Sequence, residues 1–174
     1  MKRNIQLWEE AGHILDAVGK GVLLTTAAEG KVNTMTIGWG TLGIQWKKPI
    51  FIAFVRESRY TKELLDKNPE FTVNIPYGEL DKSILSVCGT RSGRDMDKIK
   101  ELGLTLEEGE TVSVPGIRQL PLTLECKVIY RQDQDPEAIN EENTLRYYPK
   151  EGPEQKGDYH TAYYGQITAA YIIE

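Results

Sequence analysis

The chain has 174 residues, 40% of them hydrophobic and 27% charged, with a net charge of −5. That is the size and balance of one ordinary globular domain able to bury a core of its own. Eight acidic against three basic residues fall between Gln132 and Asp158, so the remainder is electrically balanced and offers no general basic surface for nucleic acid. Two distant cysteines, Cys88 and Cys126, and two histidines, His13 and His160, supply no metal-ligand spacing, and no metal is expected. No apolar run approaches the roughly 20 residues of a membrane span, and the start of the chain lacks a signal-peptide core. The expectation is a cytoplasmic protein with reduced, buried thiols.

Taken in order, Ile5, Trp8, Gly12, Leu15 and Val18 recur at helical spacing and predict an amphipathic helix over 4–18, stopped by Gly19 and Gly21, with Trp8 and Leu15 as core anchors. Residues 22–27 are β-branched and Thr-rich and read as a strand, and Glu29-Gly30-Lys31 is a short turn into the next. Asn33 to Trp39 alternates small polar with apolar residues, and Ile50 to Val55 is an apolar run behind Pro49; both fit strands. A helix is predicted from Ser58 or Arg59 to Asn68, a strand over 71–75 and a short helix over 80–87. Ser92-x-x-Asp95 forms a weak capping box leading into a helix that ends near Gly103. Strands are predicted over 112–114, 122–131 and 162–173. The acidic segment 132–158 reads as a long excursion carrying one helix. Several strands with hairpin-scale links and no β-α-β alternation predict an antiparallel barrel with helical insertions, in one domain without internal repeat.

The literal G-x-G-x-x-G at Gly38, Gly40 and Gly43 is not a dinucleotide fingerprint, because that motif needs a helix next and here Trp46, Pro49 and a β-like run follow. No nucleophile-and-base pattern, Walker loop or carboxylate pair stands out. Two clusters of anion-binding groups do. The turn Arg56-Glu57-Ser58-Arg59-Tyr60-Thr61, with Lys62, gathers guanidiniums and hydroxyls at a helix start, which suits a phosphate. Arg91, Ser92, Gly93, Arg94 and Lys98 form a second cluster of the same character.

The pieces NTMTIGW (33–39), IFIAFV (50–55), RESRYTKELL (56–65), FTVNIP (71–76) and CGTRSGRDMDKI (88–99), in this order and spacing, resemble the flavin reductase-like family of FMN-binding split barrels. The resemblance runs from about Gly21 to Ile117 and more weakly to the end; Gly21 stands where family members often carry Pro. It implies a mainly β, antiparallel Greek-key split β-barrel with helical insertions, forming a single FMN-binding domain over 1–174 that works as a homodimer. Thr34, Met35, Thr36, Ile37, Gly38 and Trp39 would run along the flavin ring. Asn74 and the stretch from Ala53 to Val55 would line the neighbouring wall. Arg56, Ser58, Arg59, Tyr60 and Thr61, with Ser92, Gly93, Arg94 and Lys98, would hold the phosphate end. His160 is the catalytic candidate, placed to meet the nicotinamide or the flavin edge. The implied reaction is hydride transfer from NAD(P)H to FMN, then passage of electrons to a flavin or protein acceptor. The alternatives are a non-catalytic FMN electron carrier of the flavoredoxin kind and an FMN-dependent oxidoreductase of a small organic substrate. In each the flavin carries the electron chemistry and the protein supplies grip and orientation.

Overall fold

A computed structural model describes residues 1–174. In chain order the elements are β1 (Lys2–Asn4), α1 (Ala11–Lys20), β2 (Val22–Ala28), β3 (Lys31–Ile37), β4 (Gly40–Gln45), β5 (Lys48–Arg56), α2 (Tyr60–Lys67), β6 (Glu70–Ile75), α3 (Lys82–Thr90), α4 (Lys98–Glu101), β7 (Leu106–Glu107), β8 (Gly116–Ile117), β9 (Leu122–Asp133), α5 (Glu141–Tyr147) and β10 (His160–Ile173), with a 3-10 turn at Pro136–Ala138. The main sheet runs β3-β2-β6-β9-β10-β5-β4, and every pairing is antiparallel. The long β10 gives its first half to β5, from His160 opposite Arg56, and its last residues to β1.

Alternation along the strands curls this sheet around one core. Val22 and Leu24, Phe51, Ala53 and Val55, Phe71, Val73 and Ile75, and Leu122, Leu124 and Cys126 all point to the same cluster, plugged by Ile14, Ala17 and Val18 of α1. Within the strands of the main sheet, two glycines leave no room for a side chain: a Cβ at Gly165 would stand 2.5 Å from the Phe71 ring, and one at Gly40 2.6 Å from that of Phe51. The strands approach these rings because no side chain intervenes. A second apolar layer of Leu23, Ile84, Cys88, Leu104, Ile117 and Leu120 packs α3 and the segment after α4 against the outer side. Buried Glu125 fastens that segment, accepting hydrogen bonds from the Glu110 and Thr111 backbone N–H groups, the Thr111 hydroxyl and Tyr171 Oη at 2.6–2.7 Å. Both cysteines are free and buried.

The mainly β, antiparallel reading holds, and several local expectations are corrected. Asn4 closes β1 and residues 5–10 are irregular chain and turn, not the first half of a helix; α1 starts at Ala11, and Trp8 and Leu15 lie half exposed while Ile14 and Val18 anchor the core. Gly21 ends that helix at φ 114°, a conformation closed to proline. No strand forms over 112–114; Val112 and Val114 are buried, but the pairing there is β7 with β8. Asp97 caps α4 through its bond to the Lys100 N–H, so the Ser92-x-x-Asp95 pattern is not the cap. No helix is long and apolar enough to cross a membrane.

Candidate functional site

Two cavities meet on one side of the sheet, and together they collect most of the sequence-predicted groups. The first holds roughly 110 Å³ and is bounded by Asn33 and Met35 of β3, the turn Ser58–Thr61, Cys88 and Gly89 at the end of α3, the loop Arg91–Arg94, and Lys98. The two basic clusters, about 30 residues apart in sequence, therefore face one space. Four of its lining side chains are cationic and none is acidic.

Lys98 is the deepest of these. It is only 4% exposed, and its Nζ donates to the carbonyl oxygens of Thr34 at 2.9 Å and Cys88 at 3.0 Å. Burial pushes its pKa down, and nearby Arg59 adds to that, yet no carboxylate is present to compensate. A buried ammonium held only by neutral carbonyls, with one N–H to spare, is poised for an anion. Arg59 and Arg91 form no ion pair either. Thr61, also buried, accepts a hydrogen bond from Asn33 Nδ2 at 3.0 Å, which leaves its own hydroxyl proton free.

Not every cation of the clusters is available. Arg94 Nη1 donates to the Ser58 carbonyl at 3.0 Å, Nε to Glu63 at 3.0 Å, and Nη2 to the same carboxylate, with the guanidinium 5.6 Å from the centre of the Tyr60 ring. Its work is to tie the second cluster to the first. Arg56 lies outside this cavity: it donates to the Asp158 and Tyr147 carbonyls at 2.7 and 3.0 Å, clamping both ends of the second half of the acidic excursion. Ser58 borders the cavity, but its N–H and hydroxyl both go to the Asp158 carboxylate, at 3.0 and 2.6 Å. The expectation that Arg56 and Ser58 offer free donors to a phosphate is corrected accordingly.

The second cavity, about 150 Å³, is a cleft bounded by Met35 to Trp39, Phe54, Arg56, Arg59 and His160. Met35 and Arg59 border both spaces, so the cationic end opens into an aromatic one. Trp39 stands at the mouth, its ring 5.0 Å from those of His160 and Tyr147. His160 begins β10, is 6% exposed, and places Nδ1 2.9 Å from Tyr148 Oη, while its backbone N–H donates to Gln134 Oε1. Burial, aided by the positive charges of Arg56 and Arg59 against Asp158, lowers its pKa to about 4. The imidazole is therefore neutral near neutral pH.

Along β5 the alternation decides which residues reach this cleft. Ala53 and Val55 point into the core with no exposure, and Phe54 between them lines the wall. Asn74 is corrected in the same way: it is fully buried, accepting from Thr25 Oγ1 at 2.7 Å and donating to Thr123 Oγ1 at 3.4 Å. The Thr34 hydroxyl is paired with Thr25 Oγ1 at 3.0 Å in that same network, so only its backbone carbonyl serves the site. Thr36 reaches the cleft, but its hydroxyl donates to the Leu85 carbonyl at 2.6 Å. Sequence alone assigns no site role to Asn33 or Tyr148; period-two alternation with Met35 marks the first, and nothing local marks the second.

A narrow cationic pocket that shares Met35 and Arg59 with a cleft lined by Trp39, Phe54 and His160 suits a flat ligand with an anionic tail. The family model described as "flavin reductase like domain" matches residues 15–174, and the chain belongs to that family. An uncharacterised protein of Archaeoglobus fulgidus is 35% identical over 99 residues, which is 57% of this chain and 55% of that relative; the matched part spans about half of each. The flavoredoxin of Methanosarcina acetivorans superposes with a TM-score of 0.65 at 28% identity, over 88% of this chain and 68% of the other. An FMN-binding domain of a flavin reductase-like enzyme from Shewanella baltica gives 0.67 over 99% and 77% of the two chains, at 18% identity, which bears on the split-barrel fold alone.

Proposed function

We propose that this chain is an NAD(P)H-dependent flavin oxidoreductase that holds FMN across the two joined cavities and passes electrons to a flavin or protein acceptor. The observation that carries this is the junction at Met35 and Arg59, where a pocket with four cations and no acid meets a cleft walled by Trp39, Phe54 and His160. Lys98, Arg59 and Arg91, with the hydroxyls of Thr61 and Ser92, would hold the phosphate; Met35 to Trp39 and Phe54 would flank the ring. When bound, the flavin supplies the chemistry, accepting a hydride from reduced nicotinamide and yielding electrons to the acceptor.

The residues of the chain do the rest. The neutral His160 neither repels a cationic nicotinamide nor competes for the phosphate, and Tyr148 fixes its ring. Arg56 ties the excursion to β5 beside the cleft, where Tyr147 packs edge-on against Trp39. The reading also carries a homodimer in which a second copy completes the open side beside half-exposed Trp39.

The likeness to a flavoredoxin favours a second reading, a carrier that retains flavin and receives electrons from a partner protein. Anaerobic addition of NADH and NADPH to the FMN-loaded protein separates the two. Rapid bleaching of the flavin supports the oxidoreductase. Retained but unbleached flavin supports the carrier, and failure of FMN to bind or turn over removes both.

A further inference from the structure

On the far side of the phosphate pocket from the ring cleft lies a third, larger space. It holds about 640 Å³, ample for a nucleoside, and is lined by apolar Val32, Met96, Ile99 and Leu106, with Lys31 set against the carboxylates of Asp95 and Asp97. Asn33, Tyr60, Gly93, Arg94 and Lys98 border this groove and the phosphate pocket alike, so they form the partition between them. The partition is tight: a Cβ on Gly93 would stand 2.1 Å from Asn33 Oδ1 and 2.8 Å from the Tyr60 ring. It is latched from above by Arg94, bound to Glu63 and to the Ser58 carbonyl. Neither the cleft nor the pocket uses that groove.

We propose that the Gly93–Arg94 ridge, held by the Arg94–Glu63 latch, sets the choice between a flavin mononucleotide and a flavin dinucleotide. The inference rests on the flavin reading above. With the ridge down, the phosphate pocket ends at Asn33 and Gly93, and a flavin whose phosphate ends the chain fits. A dinucleotide carries a second phosphate and an adenosine beyond that point, and it must cross the ridge to reach the groove. The latch is built for adjustment, since both partners of the ion pair are about half exposed and such a pair is weak. The groove beyond offers Lys31, together with the Arg94 and Lys98 of the partition, for the second phosphate, against Asp95 and Asp97, and the Val32, Ile99 and Leu106 surface for the adenine.

The test is a set of fluorescence-quenching titrations with FMN and with FAD on the wild type, on Glu63→Ala, and on Glu63→Ala combined with Ile99→Trp, which fills the groove. The wild type is expected to bind FMN at least about tenfold more tightly than FAD. Loss of the latch should narrow that preference about fivefold or more, and filling the groove should restore it while leaving FMN unchanged. A wild type that binds FAD as well as FMN overturns the proposal, as does a preference that stays the same in Glu63→Ala or a FAD gain that survives the Trp. Absence of FMN binding in the wild type is a different result, because it removes the flavin reading itself.

Discussion

The ammonium of Lys98 sits 2.9 Å from the carbonyl oxygen of Thr34 and 3.0 Å from that of Cys88, buried, and without any salt bridge. A cation in that position costs desolvation that two carbonyl contacts only partly return. The site recovers the remainder when an anion enters. Replacing Lys98 by Met should therefore weaken FMN binding by about 10- to 100-fold, the worth of one charged hydrogen bond at roughly 1.5–3 kcal/mol, and barely change riboflavin binding. Isothermal titration with both ligands checks this; an equal loss for both would make Lys98 a structural residue.

His160 makes folding sensitive to mild acid. Unfolded, its imidazole takes up a proton near 6.5; folded, it resists until about 4. Between these values the unfolded chain binds more protons, so stability falls as pH drops through that window and is unaffected above it. The full loss is on the order of 3 kcal/mol. Urea midpoints should fall between about pH 7 and about pH 5 in the wild type and stay flatter in His160→Gln. Glu125 does not blur the window. Burial pushes its pKa up, but the donors of Thr111, Glu110 and Tyr171 outweigh that and hold it low, so its contribution is lost only at more acid pH.

Glu125 itself is a structural clamp. Its carboxylate accepts four bonds, three of which hold residues 110 and 111 to the barrel while the fourth comes from Tyr171 of β10. Glu125→Gln would set an amide N–H₂ against donors, and should lower unfolding free energy by about 2–4 kcal/mol with little change in flavin affinity. Denaturant titration paired with an FMN titration decides it.

Arg56 joins strand β5 to both ends of the segment from Tyr147 to Asp158. Arg56→Ala should release that segment, seen as faster proteolysis between 147 and 158 and faster exchange of FMN, while the phosphate contacts persist. Unchanged cleavage would place the hold on the excursion in the Ser58–Asp158 bonds instead.

What sequence reveals and conceals here follows from range. The apolar run that became β5 and the Glu29-Gly30 turn, with φ values of 53° and 74°, are written in local residue types. The companion hairpin at Trp46 and Lys47 uses the same left-handed region without a glycine, at 51° and 59°, so no local signal announced it. Strand β1 is KRN, polar throughout, and exists because β10 offers it an edge. In the site, both basic clusters were legible as groups. Their meeting in one pocket was not, nor the commitment of Arg56, Ser58 and Arg94 to protein partners, because each depends on contacts spanning 31 to 102 residues. Ala53, Val55 and Asn74 were misplaced for a simpler reason: strand alternation turns neighbours to opposite faces, and membership of a motif does not say which.

The most direct test of the account is a pair of titrations of the wild-type protein, one with FMN and one with riboflavin, read by flavin fluorescence at low and high salt. The account predicts that FMN binds at least about tenfold more tightly and that salt erodes the difference, because the phosphate meets uncompensated cations. Equal affinity for the two, or no binding of either, would contradict it.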